Sequence, residues 1–207
     1  MSDQFPTYRA QMEYVCLGCG ARHPIDELLY TCPSCGGVFL LEDTTFDKLK
    51  EHGGAYWRNL FDSRAATRNT ALRGVFRFYE LMAPVLEQED ILYLGEGNTP
   101  VVDGAPELQK KLNASFAFKN DGQNPSASFK DRGMACAYSY LRALARKHGW
   151  DEVLTICAST GDTSAAAALY GAYVGHPIKT AVLLPQGKVT PQQLSQPLGS
   201  GATVLEA

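Results

Sequence analysis

Residues 152–185 read EVLTICASTGDTSAAAALYGAYVGHPIKTAVLLP. The apolar runs EVLTICAS and KTAVLLP are too short for buried helices and contain β-branched residues, so each reads as a buried strand. Between them TSAAAALYGAYVG has helical length and stops at Gly175, the residue type that most readily ends a helix. A strand, a helix and a second strand in succession predict parallel pairing through a right-handed crossover.

The same alternation continues outward. PQQLSQPLG reads as a short helix and ATVLEA as the start of a further strand, while ASFAFKN upstream reads as a short strand. SFKDRGMACAYSYLRALARKHG reads as a helix ending at Gly149, with apolar or small residues at Met134, Ala137, Tyr138, Leu141, Leu144 and Ala145. Residues 114–207 are therefore expected to be α/β, an open parallel sheet with flanking helices. The last strand is barely complete at Ala207 with no closing helix, so the reading expects more chain downstream.

Residues 43–113 read as mostly helical, from Phe46 to Leu60 and again over GVFRFYELMAPVL, before breaking at the Gly/Pro-rich LGEGNTP. Residues 1–42 hold YVCLGCGARHPIDELLYTCPSCGGVFLLE, in which Cys16 and Cys19 form one CxxC pair and Cys32 and Cys35 another, twelve residues apart. Two such knuckles supply four thiolates in a tetrahedron, which predicts a zinc-ribbon-like segment with structural zinc. Tetrahedral iron suits the same sulfurs, and thiols without metal are the remaining reading. Four sulfurs complete the shell, so His23 reads as a surface residue and the closed site is assigned no chemistry.

Net charge is −3, from 19 basic and 22 acidic residues interspersed along the chain. That balance presents no broad basic face to nucleic acid and no polybasic run to a membrane. No run of about 18 apolar residues occurs, and MSDQFPTYRA lacks a signal pattern. The expectation is a cytoplasmic protein with neither kind of partner.

Lys130 is the candidate for the chemistry. Ser128 is placed as an N-cap with Asp131 three residues on, so a helix is expected to begin at Phe129 and Lys130. The positive end of that helix disfavours a cation and weakens the lysine's hold on its proton, which suits a nucleophile that forms a Schiff base. A solvated lysine paired with Asp131 or a downstream acid is the alternative. Ser159, Thr160, Gly161, Asp162 and Thr163 form a strand-to-helix turn dense in hydroxyls and amides, suited to an anion such as a substrate carboxylate. Ala165 to Ala168 then let that helix approach its neighbours closely.

LGEGNTP, NPSASFKDRG, CASTGDTSAAAA and LLPQGKVTPQQLSQPLGSGATV, in that order, resemble the threonine synthase family, pyridoxal-phosphate enzymes of the tryptophan-synthase-β-like group, fold type II. GVFRFYELMAP resembles the segment preceding the active-site domain, and some members carry an N-terminal cysteine ribbon. The resemblance implies that Lys130 binds the cofactor aldehyde and later moves protons. It implies that Ser159, Thr160, Gly161 and Thr163 hold the substrate carboxylate. Asp162 matches the position facing the cofactor's ring hydroxyl, where many relatives carry asparagine, and an aspartate there needs a proton partner. GEGNTP matches the access loop, with Asn98 and Thr99 lining the site or forming only an interdomain turn. Lys188, in LLPQGKV, follows a strand end and could meet the phosphate of a substrate such as O-phosphohomoserine, a solvated lysine being the other reading.

The implied reaction converts O-phospho-L-homoserine and water to L-threonine and phosphate. Relatives hold the cofactor phosphate in a second glycine-rich loop that is not visible before Ala207, so the fold is expected to be incomplete, an N-terminal portion that needs its C-terminal half or a homo-oligomer. Other fold type II enzymes, the threonine or serine dehydratases and cysteine synthase, share the lysine and the serine-threonine-glycine turn. A non-catalytic fragment retaining the ribbon is a further reading. The ribbon, GEGNTP and GKV argue for threonine synthase.

Overall fold

A computed structural model describes residues 3–82 and 84–206. The first two cysteines bracket the turn after β1 (Met12–Cys16), which pairs antiparallel with β2 (Arg22–Pro24) on one side and β3 (Phe39–Asp43) on the other. Three strands of three to five residues enclose little apolar volume, so the cysteine end has few side chains to hold it.

The next region is less helical than its pattern suggests. Phe46–Glu51 is a 3₁₀ turn, α1 (Gly54–Ser63) follows, and the chain then passes through 3₁₀ turns at Arg64–Ala66, Thr70–Leu72 and Gly74–Phe78 before the single turn α2 (Tyr79–Met82). Ala83, within GVFRFYELMAPVL, lies outside the described residues. The broken helix follows from burial on several sides: Leu72, Phe76, Tyr79, Leu86 and Leu92 all reach one core with Ala135, Tyr138, Ala167 and Tyr170. Gly74 permits the path. It takes φ 58°, and a Cβ there would lie 2.6 Å from the Glu96 carbonyl oxygen.

ASFAFKN departs from expectation. Only Ala117–Lys119 is a strand, β5, and it pairs antiparallel with β4 (Val101–Asp103) across the short helix α3 (Pro106–Leu112) instead of joining the parallel sheet. A connection this compact returns the chain beside the strand it has just left, and Gly104 N–H donates to the Phe116 carbonyl to close the ribbon.

Then come α4 (Lys130–His148), β6 (Val153–Ala158), α5 (Asp162–Val174), β7 (Ile178–Leu184), α6 (Pro191–Gly199) and β8 (Thr203–Glu206). β6, β7 and β8 form a parallel sheet in that order, Ile156 opposite Ala181 and Ala181 opposite Thr203. Gly149 and Gly175 end α4 and α5 at φ 64° each. Thr190 and Gln193 close a capping box on α6. No helix among the described residues is long and apolar enough to cross a membrane.

Two burial expectations are corrected. EVLTICAS is not buried throughout: β6 alternates, with Leu154 and Ile156 each 60% exposed, because the helices cover only the face carrying Thr155 and Cys157. On α4 the buried set is Asp131, Ala135, Tyr138, Ser139, Leu144 and Ala145, while Ala137 is exposed. The stripe is rotated because α4 packs against α5 and also against the segment 86–92, where Ser139 Oγ accepts the Leu92 N–H.

Tyr138, Thr155 and Thr180 share hydroxyl hydrogen bonds of 2.9 to 3.1 Å beneath Gly171. A Cβ on Gly171 would sit 1.9 Å from Thr180 Oγ1 and 2.9 Å from its Cβ. Gly171→Ala is therefore expected to push α5 off β7 and lower unfolding stability by about 1–3 kcal/mol, the cost of overpacking, measured as a lower urea midpoint. An unchanged midpoint would show that α5 already stands clear of Thr180.

Candidate active site

The turn before α4 sets the position of Lys130. Ala127 takes a left-handed backbone, φ 62°, which folds the chain back so that Ser126 N–H donates to Asp131 Oδ2 at 2.7 Å. The expected S-x-x-D box is thus replaced. Asp131 reaches Ser126 and not the amide of Ser128, and Phe129 precedes the first helical residue, Lys130, without a side-chain cap. Ser128 Oγ instead accepts the Lys130 N–H at 3.2 Å and donates to Asp162 Oδ2 at 3.0 Å. Ser128 is buried, so its hydrogen bond to Asp162 is shielded from solvent.

Lys130 is half-buried, with its Nζ 4.5 Å from the centroid of the Phe129 ring. Among the described residues no acid forms an ion pair with it; Asp131 is engaged with Ser126, and Asp121 with Arg132. The amine is left available for chemistry.

Ser159, Thr160 and Gly161 lie between the end of β6 and the start of α5, where Asp162 and Thr163 are the first helical residues. Ser164 N–H and Ala165 N–H both return to the Gly161 carbonyl, so the turn is fixed by backbone bonds, and the positive end of a thirteen-residue helix opens at it. The Gln193 amide nitrogen lies 3.9 Å from where a Gly161 Cβ would be, so the first turn of α6 borders the same place. Lys188 is exposed in the loop after β7. It occupies the same C-terminal edge of the parallel strands, and among the described residues its ammonium group forms no ion pair.

The GEGNTP loop is tied to the lysine turn from the other side. Gly97 N–H donates to Asn124 Oδ1 at 3.0 Å, and Arg132 donates to Thr99 Oγ1 at 3.3 Å and to Asp121 at 2.7 Å. The Arg132 guanidinium holds the Asp121 carboxyl below its usual range. Asn98 is exposed with φ 45°. Sequence reasoning missed Asn124 and Arg132, both within NPSASFKDRG, and the bond from Ser128 to Asp162; the residue types were visible, but the partners lie up to 34 residues away.

The four cysteines converge. The sulfurs of Cys16, Cys19, Cys32 and Cys35 all lie within 4.8 Å of one another, with Cys16–Cys35 at 3.4 Å and Cys19–Cys32 at 3.7 Å. A tetrahedron with metal–sulfur bonds of ~2.3 Å has edges of ~3.8 Å, so the donor set fits a closed four-sulfur site. A Cβ on Gly37 would press on two of the sulfurs at 3.0 and 3.2 Å, which explains the glycine after the second knuckle. His23 is not a plain surface residue. It is half-buried with Nε2 3.8 Å from the Cys32 sulfur, because β2 runs beside the knuckle.

Comparison with known proteins adds the family. A family profile described as "Pyridoxal-phosphate dependent enzyme" matches residues 92–207. A threonine synthase of Halalkalibacterium halodurans is 43% identical over 134 residues, 65% of this chain and 35% of that protein. One from Methanocaldococcus jannaschii is 35% identical over 193 residues, 92% of this chain and 42% of that protein. The chloroplastic threonine synthase 2 of Arabidopsis thaliana is 36% identical over 185 residues, covering 88% and 35%. The chain thus spans well under half the length of these relatives, while the matched profile takes in the lysine turn, the GEGNTP loop and the whole parallel sheet. By that match the chain belongs to the pyridoxal-phosphate dependent enzymes.

Proposed function

We propose that this chain provides the lysine-bearing part of a threonine synthase, which converts O-phospho-L-homoserine and water to L-threonine and phosphate. The observation that carries the reading is the link from the Lys130 backbone N–H to Ser128 Oγ and from Ser128 Oγ–H to Asp162, which ties the start of α4, with its lysine, to the start of α5. The likeness to threonine synthases, which reaches 92% of the chain in one relative, supports the choice within the family.

The residues present fit pyridoxal phosphate. Lys130 would supply the amine for its aldehyde, and Asp162, to which Ser128 donates, would be the residue at its ring hydroxyl. When bound, the cofactor draws off the electron pair left behind as a proton leaves the substrate carbon. The chain's own residues do the rest. Lys130 takes and returns protons at the substrate carbons as base and then acid. Ser159, Thr160, Gly161 and Thr163 hold the substrate carboxylate at the positive end of α5, fixing the orientation of the carbon whose proton Lys130 removes. Asn98 and Thr99 line the access side, and Lys188 meets the substrate phosphate at the strand ends. Away from this rim, Cys16, Cys19, Cys32 and Cys35 hold a structural zinc that substitutes for the missing apolar core of the three-stranded sheet.

The direct test treats the full-length protein with pyridoxal phosphate and borohydride and maps the modified peptide, alongside phosphate release from O-phospho-L-homoserine. Label on Lys130 together with threonine formation is expected. Label elsewhere removes the assignment. For the ribbon, Cys32→Ser is expected to abolish the bound zinc, read as metal content per chain, and to lower the melting temperature.

A further inference from the structure

Among the described residues three buried side-chain atoms have no hydrogen-bond partner, and they fall on two neighbouring segments: Glu96 Oε1 on the GEGNTP loop, and Asp131 Oδ1 and Ser126 Oγ on the lysine turn. Glu96 and Asp131 are both fully buried. Glu96 Oε2 accepts from the Tyr170 hydroxyl at 2.7 Å and from Leu94 N–H at 3.0 Å, and Asp131 Oδ2 accepts from Ser126 N–H. Each carboxyl therefore has one satisfied oxygen and one orphan. Two buried carboxylates near enough to act on one another without a cation would repel and leave both orphans unpaired, an arrangement that buried polar groups avoid. A single proton removes both problems at once.

We propose that Glu96 is a neutral carboxylic acid whose Oε1–H supplies the donor that Asp131 Oδ1 lacks, directly or through one internal water, and that this pair positions the turn carrying Lys130. The groups acting on Glu96 agree. Tyr170 faces it from α5, Asp131 and Cys136 act on it from α4, and Tyr93 and Gly74 flank it; among the described residues no lysine, arginine or histidine is hydrogen-bonded to it or pairs with it. Burial, aided by the negative charge of Asp131, pushes its carboxyl above the ordinary range, against the opposing pull of Tyr170 and the Leu94 and Glu96 amides. Through Asp131 the pair holds Ser126, and through Ser126 the left-handed residue Ala127 immediately before the Ser128 that accepts the Lys130 backbone N–H. Glu96 acts through other residues and is a positioning residue.

The sign of the pH effect follows. A carboxyl whose folded value is raised keeps its proton after the unfolded chain has lost it, so the folded state is progressively disfavoured as pH rises from about 4.5 to the raised value, and no further above it. Glu96→Gln keeps a donor in place of Oε1–H and an acceptor in place of Oε2, but does not titrate. On the full chain, the melting temperature of Glu96→Gln is expected to match the parent near pH 4.5 and to exceed it increasingly toward pH 8. The infrared spectrum of the parent at pH 7 should hold a protonated-carboxyl carbonyl band that Glu96→Gln lacks. Labelling of Lys130 by pyridoxal phosphate and borohydride should slow in Glu96→Ala and recover in Glu96→Gln. A Glu96→Gln variant destabilised equally at every pH, or the absence of the band, overturns the neutral acid; labelling of Glu96→Ala at the parental rate overturns the positioning role. The proposal rests on the function above only for the role of Lys130, and the thermal and infrared readouts need neither cofactor nor turnover, so the two can fail separately.

Discussion

Glu80→Ala is expected to lower the unfolding free energy by about 3–5 kcal/mol, the cost of leaving one member of a buried ion pair without its partner. Arg64 and Glu80 are 3% and 5% exposed, and they meet in a fork of two hydrogen bonds, 2.7 and 2.6 Å. Arg64 also donates to the Arg77 carbonyl and lies over the Phe61 ring, so the guanidinium is held from three directions. Without Glu80 it keeps a carbonyl and an aromatic face but no counter-charge. Arg64→Met should cost a similar amount by stranding the carboxylate. The double variant Arg64→Met/Glu80→Met removes both charges, so it should be more stable than either single variant, because buried pairs exchanged for apolar side chains of similar volume are often neutral. Urea unfolding of the four chains measures this coupling. A loss under about 1 kcal/mol for both single variants, the range of exposed pairs, would mean that solvent reaches the pair.

The parallel unit was legible because its signals are local. Strand length, helix length and the stops at Gly149 and Gly175 all lie within a few residues of the feature they mark, and the Thr190–Gln193 box marks α6 in the same way. The cysteine cluster was legible because two identical spacings constrain one another. What escaped depends on partners distant in sequence. The turn of β5 into an antiparallel ribbon depends on β4, and the exposure of Leu154 and Ile156 depends on which face the helices cover. The breakage of residues 64–82 into short turns depends on a core supplied by α4 and α5. At the site the same division holds. Lys130 and the Ser159–Thr163 turn could be singled out from residue type and position. Ser128 was read as a helix cap because serine before a helix usually is one, and only the fold shows it bonded to Asp162, 34 residues on. Glu96 gave no signal, since an acid between two glycines looks like part of a solvated turn.

Lys130→Arg should abolish the borohydride-fixed label and reduce phosphate release from O-phospho-L-homoserine by at least ~10²–10⁴-fold, the span attributed to a positioned proton-transfer group. The substitution isolates the chemistry from the charge. Arginine keeps a cation over the Phe129 ring, where Lys130 Nζ now lies at 4.5 Å, so the helix start should be little disturbed. It stays protonated at any working pH, however, and therefore offers neither a nucleophile for an aldehyde nor a base for a carbon-bound proton. Melting temperature should stay close to that of the parent, which separates this loss from unfolding. Ser128→Ala provides the graded comparison: the amine remains, but Asp162 loses its donor and the Lys130 amide its acceptor, so labelling should persist while turnover falls. If Lys130→Arg released phosphate at the parental rate, the proton would have to be moved by a different group, and Ser128 and Asp162 would be holding a helix end and nothing more.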